Sequence, residues 1–204
     1  MTGEPDLVQG AWMRQAASID GGPFFETQRV VWLQAGTCYA DLRVPFHPAA
    51  DRRCFTGRSF WDADAYRWTH HLDLESADGE ASPAADDVGL LRWSDGALVE
   101  TGMFPTPTGP VAYEEIWVRL PGDTGPWLAL DGPDGCLVRV GDHAITVVDR
   151  RASGGTFAAC YRILGADGWQ IEMAIGGVDA LPGPDAAVEG WSVIHSGGKA
   201  RVAP

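Results

Sequence analysis

Positive charge is scarce in this sequence. Fifteen Lys and Arg stand against 28 Asp and Glu, for a formal net charge of −13. Binding to nucleic acid or to an anionic membrane surface needs clustered basic residues, so neither is expected as a partner. No stretch approaches the roughly 18 apolar residues of a spanning helix, and the acidic start, MTGEPDLVQG, is not a signal peptide. Cysteine is sparse as well. Cys38, Cys54, Cys136 and Cys160 are widely spaced and form no C-x-x-C, which argues against a zinc ribbon or a thioredoxin-type motif. They read as buried small hydrophobes of a reduced, cytoplasmic protein. The sequence contains no G-x-S-x-G, no G-x-x-x-x-G-K-[ST] and no H-E-x-x-H, and Asp86-Asp87 lacks the spacing of an EF-hand. A βαβ alternation and a convincing long helix are also missing, which disfavours a parallel α/β sheet.

Short strands are plentiful. About eleven or twelve of them are punctuated by Gly, Pro and Asp, the pattern of a barrel or sandwich. The chain of 204 residues is long enough for one large all-β domain or two small fused barrels. Nine tryptophans supply bulk for a core or a pocket. Residues 1–22 are expected to be a leader, with a helical turn or two around Asp6 to Ala17. Residues 23–204 are expected to form the barrel region, with an internal division near 105–112 if there are two units. FFETQRVVWLQ and AYEEIWVRL, about 90 residues apart, hint at a duplication of half-size barrels. Asp95-Gly96 predicts a type I′ turn.

The hairpin ETQRVVWLQAGTCYADLRVP, from Glu26 to Pro45, sets the scheme. Side chains alternate across a strand, so Thr37, Tyr39, Asp41 and Arg43 share one face, and Cys38, Ala40, Leu42 and Val44 share the other. Tyr113, Glu115, Trp117 and Arg119 repeat the aromatic-charged face. In YRWTHHLDLE, Trp68, His70, Leu72 and Leu74 are expected on one side. Either face can line a barrel lumen. If the aromatic-charged faces point inward, they create a lumen suited to a polar, planar ligand, with Asp41 pairing Arg43 or Arg119 and Glu115 pairing an arginine. If they point outward, they are solvated scaffold.

Three segments in order, VVWLQAGTCYADLRVP, DVGLLRWSDGALVETG and YEEIWVRL, resemble a family that includes the fungal Hri proteins and bacterial relatives. The resemblance covers roughly residues 26–120. It implies small antiparallel barrels similar in fold to the lipocalins (calycins), two per chain in the fungal members, and no assigned chemistry.

Few residues have the chemistry to act. His70 lies with Trp68 and Leu72, where an imidazole serves as a core residue, a lumenal acid/base or a haem ligand. His195 has a similar setting beside Trp191 and Val193. His47 and His143 read as surface residues. Glu100, on the face of Leu98 and Phe104, would have a raised pKa if buried. The first functional expectation is a barrel binding a small, partly hydrophobic or aromatic ligand in its lumen, through Asp41, Arg43, Trp68, Glu115, Trp117, Arg119 and His195, with no cofactor or metal. The second is a cofactor-independent isomerase, cyclase or dehydratase, with His70 or Glu100 as base and Tyr39 or Tyr113 as acid. The third is an interaction module with a filled core.

Overall fold

The computed structural model describes residues 8–76, 86–179 and 181–198. It is all-β. Eight antiparallel strands close a barrel: β1 (Gly10–Ile19), β2 (Gln28–Ala35), β3 (Cys38–Pro45), β4 (Arg53–Asp62), β5 (Ala65–Asp73), β6 (Asp87–Ser94), β7 (Ala97–Phe104) and β8 (Val111–Arg119). Each pairs with its chain neighbour, and β8 returns to β1, the up-and-down order of lipocalins. Six more strands form an open sheet in the order β13-β12-β11-β10-β9-β14. These are β9 (Trp127–Gly132), β10 (Gly135–Val140), β11 (His143–Asp149), β12 (Phe157–Gly165), β13 (Gly168–Ile175) and β14 (Ser192–Gly197). Among the described residues no helix is long and apolar enough to cross a membrane.

The sheet lies over the outside of the barrel. Cys38, Ala40 and Leu42 of β3, with Val31 and Leu33 of β2 and Cys54 of β4, pack against Ala129, Cys136, Val138, Ile145, Val147 and Tyr161 of the sheet. Alternation then sends the other residues of these strands into the lumen. There Trp12, Trp32, Tyr39, Phe55, Tyr66, Trp68, Leu98 and Trp117 form a second core. Indole rings meet edge-on, Trp32 lying 5.7 Å from Trp68 and 5.6 Å from Trp117 between centroids. The aromatic-charged face of β3 is therefore the inward one.

Four expectations need correction. The leader is in part a barrel strand: Gly10–Ile19 is β1, because Trp12 and Arg14 face inward and the strand supplies the edge on which β8 closes. The first seven residues of that leader lie outside the described residues. Among the described residues there are not two half-size barrels but one closed barrel followed by an open sheet, and the two similar segments fall in β2 and β8 of the same barrel. The division falls not near 105–112, which joins β7 to β8, but between β8 and β9. Finally, Trp68, His70, Leu72 and Leu74 do not share a face. A bulge between Thr56 and Gly57 leaves His71 without a register partner. Trp68 lies in the lumenal core, whereas Leu72 and Leu74 pack against the cluster under the sheet.

Two turns behave as the sequence reads. Asp95 and Gly96 have φ of 52° and 82°, the positive pair of a type I′ turn. Gly36, φ 61°, turns the opening hairpin. The small, acidic, proline-containing stretch SADGEASPAADD, from Ser76 to Asp87, reads as a loop, and its residues 77–85 lie outside the described residues.

Sheet-over-barrel packing makes a test simple. Leu42 is fully buried although it points out of the barrel, whereas Leu90, also outward, is 55% exposed. Leu42→Ala is expected to lower the unfolding free energy by about 2–5 kcal/mol. Leu90→Ala is expected to change it by less than about 0.5 kcal/mol. Urea denaturation of the two variants checks this; equal effects would mean that the sheet does not cover β3.

Candidate functional site

The register sorts the lumen into two ends. At the end carrying the β4–β5 and β6–β7 turns, the filling is aromatic: Trp12, Tyr66 and Trp61, with Trp93 closing over Trp12 at 5.6 Å. Charge gathers towards the other end. Asp41 and Arg43 point in from β3, Glu100 from β7, Tyr113 and Glu115 from β8, and Arg14 from β1. Between the two lies a cavity of about 20 Å³, lined by Trp32, Trp68, Trp117, Phe55 and Tyr39 with Asp41, Arg43, Asp87 and Glu100. That is room for about one water molecule. The Asp87 side chain is 53% exposed, so the cavity meets solvent on that side.

Most charges here have partners. Arg43 grips Asp41 in a two-pronged contact, 2.7 and 3.2 Å, and lies 5.0 Å over the Phe55 ring. Arg14 donates to Glu26 at 2.8 and 3.1 Å and to Glu115 at 2.5 Å. Both guanidiniums thus satisfy the rule that a buried charge be paired.

Glu100 differs. It accepts from Tyr113 Oη at 2.7 Å and from Trp117 Nε1 at 3.1 Å, two neutral donors. No cation contacts it among the described residues. Burial disfavours its charged form, and the negative charge of Glu115 adds to this. Together they outweigh the Tyr113 bond and push its pKa up to about 8. Glycine makes the Tyr113 contact possible: a Cβ at Gly102 would lie 2.6 Å from the Tyr113 hydroxyl, so the ring crosses a bare backbone to reach Glu100. Burial, then the neighbouring Glu100, also raises the Tyr113 phenol, which stays protonated.

His70 stands at the seam between β5 and β6. Among the described residues these strands share three register pairs, Tyr66–Trp68 with Asp87–Gly89, the shortest ladder of the barrel. Beyond it His70 Nδ1 meets Asp73 at 3.0 Å and Nε2 meets Asp87 at 3.2 Å, with Phe55 stacked on the ring at 4.5 Å. Burial works against the imidazolium, but the hydrogen bonds and charges of the two aspartates prevail and push its pKa up to about 9. In that state both nitrogens donate, and the ring has no lone pair for a proton or a metal.

The remaining candidates scatter. Tyr39 donates to the Thr69 carbonyl at 3.2 Å beside the cavity. Arg119 lies at the aromatic end, stacked 4.4 Å over Trp12 and paired with Asp123. His195 is on β14, outside the barrel, 2.7 Å from Thr37 Oγ1. His143, expected at the surface, is buried between Tyr161 Oη and the Pro121 carbonyl. The structure thus gathers Tyr39, Asp41, Arg43, Trp68, Glu100 and Trp117 around one cavity, with Tyr113 bonded to Glu100. His70 stands at its edge, Glu115 is engaged with Arg14, and Arg119 and His195 lie elsewhere. Sequence reading missed Trp32, Phe55, Asp87 and Arg14. The first two sit on strands already recognised, at inward positions of the alternation.

Neither a family model nor a curated protein matches the chain. Among solved structures it is similar to the crystal structure of an uncharacterized protein, YLR301w, from Saccharomyces cerevisiae. The TM-score is 0.67 at 14% identity, over 93% of this chain and 99% of the yeast chain. The likeness is one of fold, and at that coverage it takes in the outer sheet as well as the barrel. It supports the barrel that the three motifs implied and does not reach to the Hri-like family.

Two raised pKa values make stability fall with pH. Glu100 keeps its proton when folded to about pH 8, whereas the ordinary carboxyl releases it near 4.5. Its contribution is fully present below 4.5 and is lost as pH rises through 8. His70 holds its proton to about 9 against an ordinary 6.5, so its contribution is present below 6.5 and lost through 9. The urea midpoint is therefore expected to fall from pH 6 to 9.5. Glu100→Gln removes one of the two terms, so this variant should gain on the wild type as pH rises. A difference that is constant with pH would refute the raised value for Glu100.

Proposed function

We propose that the protein is a small-molecule-binding barrel whose ligand enters at the polar end of the lumen. The observation that carries this reading is the meeting of Asp41, Arg43 and Glu100 with three tryptophans and Phe55 around a cavity bordered by the half-exposed Asp87. Ligand sites combine apolar walls with a few convergent polar groups in this way. A barrel packed for stability alone has no need of Glu100, because a buried carboxyl without a cation costs free energy that an apolar side chain would not. The space sets the ligand's shape. With room for about one water, the lumen takes a small polar group, and the rest of the ligand stays at the mouth. Of the partly hydrophobic or aromatic ligands expected from the sequence, an aromatic ring is larger than this space and would stay at the mouth. The four cysteines are free and buried, which supports a reducing, cytoplasmic compartment.

The acid–base alternative has less support. Glu100 and Tyr113 share a hydrogen bond at the cavity, but His70 between its two aspartates offers no lone pair.

Native mass spectrometry of gently purified, full-length protein tests the reading. A bound small molecule is expected, and Phe55→Trp, which adds volume to the cavity wall, should lose it. The reading is overturned if the wild type carries no adduct and its tryptophan emission ignores a set of small polar fragments. The barrel would then be a filled scaffold. Its exposed Phe24, Leu90 and Met103, along an outer cleft of about 810 Å³, would be the surface it uses.

A further inference from the structure

Resting on the ligand-binding reading, we propose that the lumenal cavity seats a primary ammonium group, with Glu100 as its counter-ion. Four observations lead there. The first is size: a cavity of about 20 Å³ holds one water, and an ammonium group is about as large as water. The second is the wall. Trp32, Trp68, Trp117, Phe55 and Tyr39 surround the space, and aromatic faces attract cations, tryptophan most of all.

The third is charge. Asp41, Asp87 and Glu100 line the cavity with one guanidinium, Arg43, and no cation among these lining residues is left over to hold an anion. Arg43 is committed to Asp41, and Asp87 is engaged by His70. Glu100 remains the carboxyl without a cationic contact among the described residues. The fourth is unused acceptor capacity. A carboxylate has about four lone-pair sites, and Tyr113 and Trp117 occupy two. The N–H donors of an ammonium group match what is left. A bare metal ion matches less well, because hard cations need six or more oxygen ligands where this wall is largely aromatic.

The arrangement has a proton signature. The groups that act on Glu100 are Tyr113 and Glu115 of β8, Arg43 of β3 and Asp87 of β6. Arg14 of β1 engages Glu115, and Asp41 of β3 engages Arg43. Without a ligand they leave Glu100 protonated at neutral pH. An alkylammonium stays charged to about pH 10, and it binds the ionised carboxylate. Binding therefore releases close to one proton per site at pH 7, and affinity rises by up to about tenfold per pH unit until about pH 8.

The test uses full-length protein and ammonium, methylammonium, tetramethylammonium, potassium and sodium chlorides at matched ionic strength. Ammonium and methylammonium should change the emission of the cavity tryptophans saturably. Tetramethylammonium, too large for the seat, should not, and neither should potassium or sodium. Glu100→Gln, with its fold checked by near-UV circular dichroism, should abolish the response. Calorimetry in buffers of different ionisation enthalpy should count close to one proton released per methylammonium bound by the wild type, a measurement that stands even if the variant misfolds. An equal response to potassium, no saturable response, or binding without proton release overturns the proposal. If native mass spectrometry still finds a bound molecule that is not an amine, the ammonium assignment falls and the ligand-binding reading stands. If neither amine nor adduct binds, both fall.

Discussion

The constraint on which the rest depends is the second sheet lying on the outside of the barrel. It buries the outward faces of β2 and β3 under apolar side chains. A strand covered on both sides has no solvated face, so its polar residues go into the lumen. Tyr39, Asp41 and Arg43 are inside the barrel because Cys38, Ala40 and Leu42 are wanted outside it. A one-residue slip in register would exchange these two sets and would place a carboxylate and a guanidinium in the seam between barrel and sheet. The hydrophobic seam therefore fixes the chemistry of the lumen without touching it.

Charges brought inside need partners, and their supply is uneven. Arg14 has Glu26 and Glu115; Arg43 has Asp41; His70 has Asp73 and Asp87. These groups also act as struts. Arg14 ties β1 to β8 and to the segment before β2, and His70 spans β5 and β6 where their backbone ladder has ended. Glu100 joins no ion pair among the described residues. It is held by neutral donors, across a glycine that lets Tyr113 reach it. A carboxyl kept in this way is balanced between a proton and a cation, because either relieves the cost of burial.

Much of this was legible in the sequence, and the parts that were not have physical reasons. Period-two alternation in CYADLRV and AYEEIWVR gave the two faces of β3 and β8, and Asp95-Gly96 gave its turn. The direction of those faces was hidden, because it depends on which face a later sheet covers, and no local pattern encodes that. β1 was hidden for a similar reason. Ala11 to Ala17 has no clean alternation, and its strand state is imposed by pairing on both sides and shifted by a bulge between Arg14 and Ala16. The alternation itself misled at His70 to Leu74, where the bulge opposite changes the phase. Of the candidate residues, those on unbroken strands reached the lumen. Arg119 did so at the far end, and His195 belongs to a strand of the outer sheet.

The size of the cavity turns a container into something narrower. A lipocalin-type barrel can hold a whole small ligand, but here four indoles, Trp12, Trp32, Trp68 and Trp117, fill most of the lumen. What remains is a water-sized gap, and it lies where the aromatic filling meets the charged end. Deeper in, beside Trp12, Tyr66 and Trp61, the polar groups Gln34, Ser59 and the Tyr66 hydroxyl are neutral and bond to one another, so a gap among them would meet no charged group. Placed against Glu100, the gap offers a desolvated carboxyl at the end of a short path bordered by Asp87. Low dielectric strengthens both the penalty on the bare charge and the reward for neutralising it. Selectivity would then come from the walls: tryptophan faces favour a cation, and the rigid space admits a head group while leaving its substituent at the mouth.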